Sequence, residues 1–183
     1  MDNIVWKYSL PAHTEIKDQL LDLINEYEQI NPCKDPVIKS DFYDDICFNP
    51  AENEYYSIFH QVANETLYRE LAKHYCIKDF GVLNVWFQQY INGSYHGWHL
   101  HANSNISLSY LLELPDKKYS TEFLDTTTKS KFQLDVEEGD VIIFPSHVIH
   151  RSPVISSDVR KTTIAINLSL GNPDWDLIKF DYE

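Results

Sequence analysis

The sequence has little cysteine, little positive charge and no long apolar run. Cys33, Cys47 and Cys76 are odd in number, irregularly spaced and without a Cys-x-x-Cys pair. That argues against a disulfide framework and predicts reduced, mostly buried thiols in a cytoplasmic protein. Lys and Arg number 15 against 28 Asp and Glu, giving a net charge of −13 and a pI near 4.9. Such a balance disfavours the phosphate neutralisation on which nucleic-acid binding rests, and no Lys/Arg cluster forms a local basic groove. The acidity reads as solubility. No apolar run is long enough for a bilayer and no leader pattern is present, so no membrane segment is expected. Repeats, low-complexity stretches and linkers are also absent. What is present is 43% hydrophobic and 14% aromatic residues in a chain of 183. This predicts one folded domain over residues 1–183, large enough to bury a core.

Helical periodicity comes first and strand periodicity second. Ile16, Leu20, Leu23, Ile24, Tyr27 and Ile30 recur at spacings of three and four, predicting a helix over 14–30 with Thr14 as N-cap. Prolines interrupt 31–52. A second helix is expected over about 53–75, on Tyr56, Phe59, Val62, Leu67 and Leu71. The helical part is thus placed at about 1–78. From residue 79 the period becomes two, with strands expected over 82–90, 106–114, 122–124, 131–136, 141–144 and 162–170. The expected class is mainly β with N-terminal helices, a β-sandwich or jelly roll whose core spans about 79–170.

The chemistry gathers on histidines. His99 and His101, one residue apart, point to one side of an extended segment. The apolar strand Asp140–Pro145 then delivers His150 from a distant part of the chain. Three imidazoles suit a transition metal and leave open positions for substrate or dioxygen. His13, His60 and His74 lie in the helical half and are read as structural. His147 could serve as a ligand only on a helix, which Pro145 disfavours. On the last strand, alternation puts Arg160, Thr162, Ile164 and Ile166 on one face. If that face looks inward, a buried arginine needs a carboxylate, bound bidentately and assisted by Thr162. Metal beside carboxylate co-substrate suggests an oxygenase.

These motifs are Tyr90-Ile91-Asn92-Gly93, His99-Leu100-His101, the strand Leu108–Leu112, Gly139-Asp140 through Phe144-Pro145, His150, and Arg160-Lys161-Thr162. Together they resemble the iron(II)- and 2-oxoglutarate-dependent oxygenase superfamily, in particular small stand-alone prolyl-hydroxylase-like members of bacteria and phages. The resemblance covers about residues 80–170. It implies a double-stranded β-helix (a cupin-like jelly roll) and, for a phage gene, residence in the host cytoplasm. It also implies iron(II) held by His99 and His150. The distal carboxylate of 2-oxoglutarate would lie on Arg160 and Thr162, with Tyr90 near the co-substrate. The implied reaction couples oxidative decarboxylation of 2-oxoglutarate to hydroxylation of a substrate.

The second ligand departs from the family, where Asp or Glu stands at the place of His101. Either His101 ligates directly, the reading adopted here, or Glu122 or Asp125 replaces it, or turnover is lost. Gly93 with His99-x-His101, and Gly139 with Pro145 and His150, also resemble the two halves of the cupin signature. A cupin would be a dioxygenase, isomerase or binding protein without 2-oxoglutarate. Its pattern wants a Glu at about 105 or 106, where Asn105 and Ile106 stand, and leaves Arg160 without a role. A non-catalytic jelly-roll module is a third reading and predicts no metal. His96, Trp98 and Asn103 are expected in the substrate pocket, with Trp86 and Tyr95 as further walls. The substrate class is a small molecule or a peptide, and nucleic acid is disfavoured.

Overall fold

The computed structural model describes residues 4–33 and 35–178, so the outer ends of the single-domain reading, 1–3 and 179–183, lie outside the described residues. In chain order the elements are β1 (Trp6–Ser9), α1 (His13–Ile30), β2 (Lys39–Ser40), α2 (Glu54–Ala63), α3 (Leu67–His74) and β3 (Phe80–Tyr90). They continue as β4 (His96–His99), β5 (Ile106–Glu113), β6 (Glu122–Asp125), β7 (Ser130–Phe132), β8 (Asp140–Pro145), β9 (His150–Ser152) and β10 (Lys161–Leu170). Two 3-10 turns, Asp45–Phe48 and Pro50–Glu52, follow β2. The strands form a six-stranded sheet, β1-β8-β5-β10-β3-β2, and a four-stranded sheet, β4-β9-β6-β7. This is the expected jelly roll of the double-stranded β-helix type.

Two apolar layers explain why both faces of the large sheet are buried. On its outer face Val85, Phe87, Leu108, Tyr110, Val141, Ile143, Ile164 and Ile166 pack against Leu20 and Ile24 of α1, Phe59 of α2 and Leu67 and Leu71 of α3. Each such side chain, taken wholly from water, contributes about 1.5–3 kcal/mol. On its inner face Tyr90, Leu111, Ile142 and Phe144 meet Phe123 of the small sheet. Strands covered on both faces read as continuous apolar runs, which is why β8 is Val-Ile-Ile-Phe and not a clean alternation.

Several sequence expectations shift. The N-cap of α1 is Ala12, without a side-chain bond, and Thr14 is already helical. The first turn is tied down instead by His13, whose Nδ1 lies 2.7 Å from the Tyr110 hydroxyl. The second helix is two: it breaks at Asn64–Thr66, where the Thr66 hydroxyl turns back to the Val62 carbonyl at 3.0 Å. Asn53 caps the first of these by accepting from the Tyr56 amide at 2.9 Å. The N-terminal part is not purely helical, since it supplies β1 and β2, which close the two edges of the large sheet on β8 and β3. All three cysteines are free, and only Cys47 is fully buried. No helix among the described residues is long and apolar enough to cross a membrane.

Candidate metal centre

β4 and β9 run antiparallel with His99 directly opposite His150. Pairing brings their rings to 4.2 Å between centroids. The register slips between His96 and His99, so the four residues 96–99 of β4 lie opposite the three residues 150–152 of β9. A bulge of this kind re-aims side chains. Here it lets residues three apart share a side, with the rings of His96 and His99 stacked at 3.9 Å. His101 follows where its amide donates to the Ser146 carbonyl at 2.9 Å. One ligand atom each from His99, His101 and His150 lies within 4.8 Å of the others.

Each ring has its proton placed by an oxygen behind it. His99 Nδ1 donates to the Gly97 carbonyl at 2.8 Å, and His150 Nδ1 to the Val148 carbonyl at 2.9 Å. His101 Nδ1 meets Asn167 Oδ1 at 2.7 Å and Ser107 Oγ at 2.8 Å. Ser107 also bonds Asn167 and Ser146, so a hydroxyl–amide network braces this ring. Protons held on Nδ1 leave every Nε2 lone pair free for a metal. Burial, reinforced by the neighbouring imidazoles, lowers the pKa of His150 to about 3. Burial also lowers His99 and His101, so all three stay neutral, the form that ligates. Asn167→Ala should weaken metal binding roughly 10–100-fold through loss of this brace. A competition titration against a metal indicator reads it, and unchanged affinity would contradict the role.

The fourth imidazole differs. Gln88 Nε2 donates to His96 Nδ1 at 3.2 Å, which places the ring proton on Nε2. Burial, with the charge of its histidine neighbours, lowers the pKa of His96 to about 4. It stands between a narrow inner slot and an outer cavity of about 410 Å³ and lines both. Asn103 lines the outer cavity as expected. Trp98 lines neither, because it points to the outer face of the small sheet, 42% exposed. There the Arg151 guanidinium lies 4.6 Å over its ring. Tyr95 borders a separate surface groove.

The largest correction concerns β10. Arg160 and Thr162 do share a face with Ile164 and Ile166, but that face is the one the helices cover. Arg160 makes a fork to Glu113, Nε to Oε2 at 2.7 Å and Nη2 to Oε1 at 2.8 Å, and also reaches Asn25 on α1. The Thr162 hydroxyl donates to the same Glu113. The carboxylate that answers this arginine is therefore the protein's own, on the far side of the sheet from the histidines. The inward set is Lys161, Thr163, Ala165 and Asn167. Lys161 is 1% exposed. Its Nζ donates to Ser152 Oγ at 2.9 Å and sits 4.9 Å over the Tyr90 ring. Burial lowers its pKa to about 7. Tyr90, Thr163, Trp86, Phe144 and the histidines line the slot with it. Sequence reasoning passed over Lys161 although it adjoins Arg160. The signal was the other parity of the same strand.

Neither alternative carboxylate reaches the cluster. Glu122 is held by Arg151 at 2.6 Å and Lys131 at 2.9 Å, and Asp125 caps the turn at Thr127 at 2.8 Å. His147 is exposed and stands apart, as read from the sequence.

No family model matches the chain, and no curated protein matches it. Solved structures do. The viral collagen prolyl hydroxylase of Paramecium bursaria Chlorella virus-1, in complex with 2-oxoglutarate, superposes with a TM-score of 0.61 at 17% identity, covering 90% of this chain and 94% of that one. A 2-oxoglutarate–Fe(II) oxygenase family protein from Burkholderia pseudomallei gives 0.67 at 10% identity, covering 92% and 85%. A Trichoplax adhaerens prolyl hydroxylase, in complex with a hypoxia-inducible-factor peptide, gives 0.64 at 12% identity, covering 96% and 86%. The chain shares their fold, the double-stranded β-helix.

Proposed function

We propose that this protein is an iron(II)- and 2-oxoglutarate-dependent oxygenase that hydroxylates a small-molecule or peptide substrate. The carrying observation is a buried lysine with no carboxylate partner among the described residues, on the face of the large sheet that looks across the slot at three proton-locked imidazoles. A lone buried ammonium is costly, and an anionic ligand in the slot relieves that cost. The donor set fits the metal: three neutral nitrogens leave further positions open. His99, His101 and His150 would hold iron(II), and Lys161 would take the far carboxylate of 2-oxoglutarate, in place of Arg160. When bound, iron supplies dioxygen activation coupled to decarboxylation of 2-oxoglutarate to succinate and carbon dioxide. The chain supplies position and exclusion of water. Ser152 holds Nζ, the Tyr90 ring flanks the ammonium, and Trp86 and Phe144 close the slot. A cupin that works without 2-oxoglutarate leaves Lys161 without a task.

Anaerobic titration of the iron(II)-loaded protein with 2-oxoglutarate tests the reading. A saturable visible charge-transfer band is expected. Bound iron without a band points to the cupin alternative, and no bound iron to a non-catalytic jelly roll.

The lysine sets a pH dependence. With its pKa lowered to about 7 by burial, Lys161 is neutral in most free molecules above that pH. An anion must then bring a proton with it. Affinity for 2-oxoglutarate should therefore fall about tenfold per pH unit above 7 and level off below it. Dissociation constants at pH 6.5, 7.5 and 8.5 decide this, and a flat profile would refute it.

A further inference from the structure

The outer cavity has a composition that selects a ligand class. An aromatic row leads from solvent to the histidines: Tyr43, Phe42, Trp86, His101. Successive ring centroids lie 5.2, 5.1 and 5.6 Å apart, at interplanar angles of 79°, 64° and 55°. Exposure falls along it from 70% at Tyr43 to 36% at Phe42 and 4% at Trp86. Phe48 and Leu100 add further apolar surface to the same cavity. The rings meet at steep angles, so they form a corner that offers faces from more than one direction.

The polar groups of this wall include an acidic acceptor with no cationic partner among the described residues. Asp35, on the same wall, accepts from the Val37 and Ile38 amides through Oδ1 and makes no ion pair among the described residues. Among the described residues no lysine or arginine lines the cavity. Asp45 is exposed within the segment that carries Phe42, Tyr43 and Phe48, and the chain as a whole carries −13. Aromatic faces attract cations, and an acidic acceptor takes N–H donors. A negative field also raises the local concentration of cations. Beside Asp35 and the aromatic row an anionic group would be repelled.

From these features we infer that the outer cavity recognises an alkylammonium or guanidinium group on an apolar stem. Such a group comes either from a free amine or from a Lys or Arg side chain of a polypeptide. This rests on the oxygenase reading only in calling the ligand a substrate. Binding itself requires no turnover.

The test is calorimetric titration of the full chain, with and without iron(II), using four probes. They are n-hexylamine, its neutral counterpart n-hexanol, a blocked lysine-centred heptapeptide, and the same peptide with norleucine at the centre. The cationic member of a pair should bind at least roughly tenfold more tightly than its neutral counterpart. Preference for hexylamine alone assigns a small-molecule substrate, and preference for the peptide alone assigns a polypeptide. Trp86→Leu and Asp35→Asn should each erase most of that preference, and 0.5 M salt should reduce it. Equal binding of the charged and neutral members of both pairs, or no binding of either cation, overturns the inference. A 2-oxoglutarate band without cation preference refutes this inference alone. Cation preference without a band refutes only the co-substrate assignment.

Discussion

Replacing Lys161 with methionine leaves the protein folded and able to load iron, but abolishes the 2-oxoglutarate charge-transfer band. The proposed pair is an ammonium 1% exposed, on the inner face of β10, and a carboxylate in a slot walled by Tyr90, Trp86 and Phe144. Breaking a buried charge pair costs about 3–5 kcal/mol, so affinity should fall roughly a hundredfold to a few thousandfold. The same substitution should raise the melting temperature of the ligand-free protein. Burial holds the native lysine near pKa 7, below its ordinary value. The penalty is therefore complete below pH 7 and fades as pH climbs toward the ordinary lysine range. The gain in stability should thus be larger at pH 6 than at pH 9. Arg160→Met is the matched control. It should leave the band in place and lower stability by about 1 kcal/mol, because Glu113 loses its fork at a partly exposed site. If the band survives in Lys161→Met and disappears in Arg160→Met, the assignment made here is reversed.

His101→Ala should lower iron affinity by more than the roughly 10–100-fold expected for loss of an outer hydrogen-bond partner. Glu122→Ala and Asp125→Ala should leave it unchanged. The His101 imidazole sits 5.0 Å from that of His150, centroid to centroid, and its proton is held by Asn167 and Ser107. The two carboxylates are spent on Arg151, Lys131 and a turn. Metal content after dialysis, measured for the three variants side by side, separates the possibilities. Retained iron in His101→Ala with loss in Glu122→Ala would restore a carboxylate ligand. A neutral third nitrogen leaves the site one negative charge short of a two-histidine, one-carboxylate centre. Its reduction potential should differ accordingly.

The histidine spacing and the strand periods are local properties, and the sequence alone was sufficient for them. His99 and His101 fall on one side because extended backbone alternates, and His150 follows a strand whose apolar run marks it as covered on both faces. The jelly roll was legible for the same reason. Short β4 and β9 were not, because a four-residue and a three-residue strand leave too little pattern to detect. The break at Asn64–Thr66 escaped notice because apolar spacing continues across it.

What only the tertiary structure decided is which face of β10 looks at the metal cluster. Alternation sorts Arg160, Thr162, Ile164 and Ile166 from Lys161, Thr163, Ala165 and Asn167, but it carries no sign. With helices over one face of the large sheet and the small sheet over the other, both sets are buried, and apolarity cannot tell them apart. The sign came from long-range packing. Ile164 and Ile166 join the helices, Glu113 on the neighbouring strand answers Arg160, and Lys161 is left facing the histidines with no carboxylate of its own among the described residues.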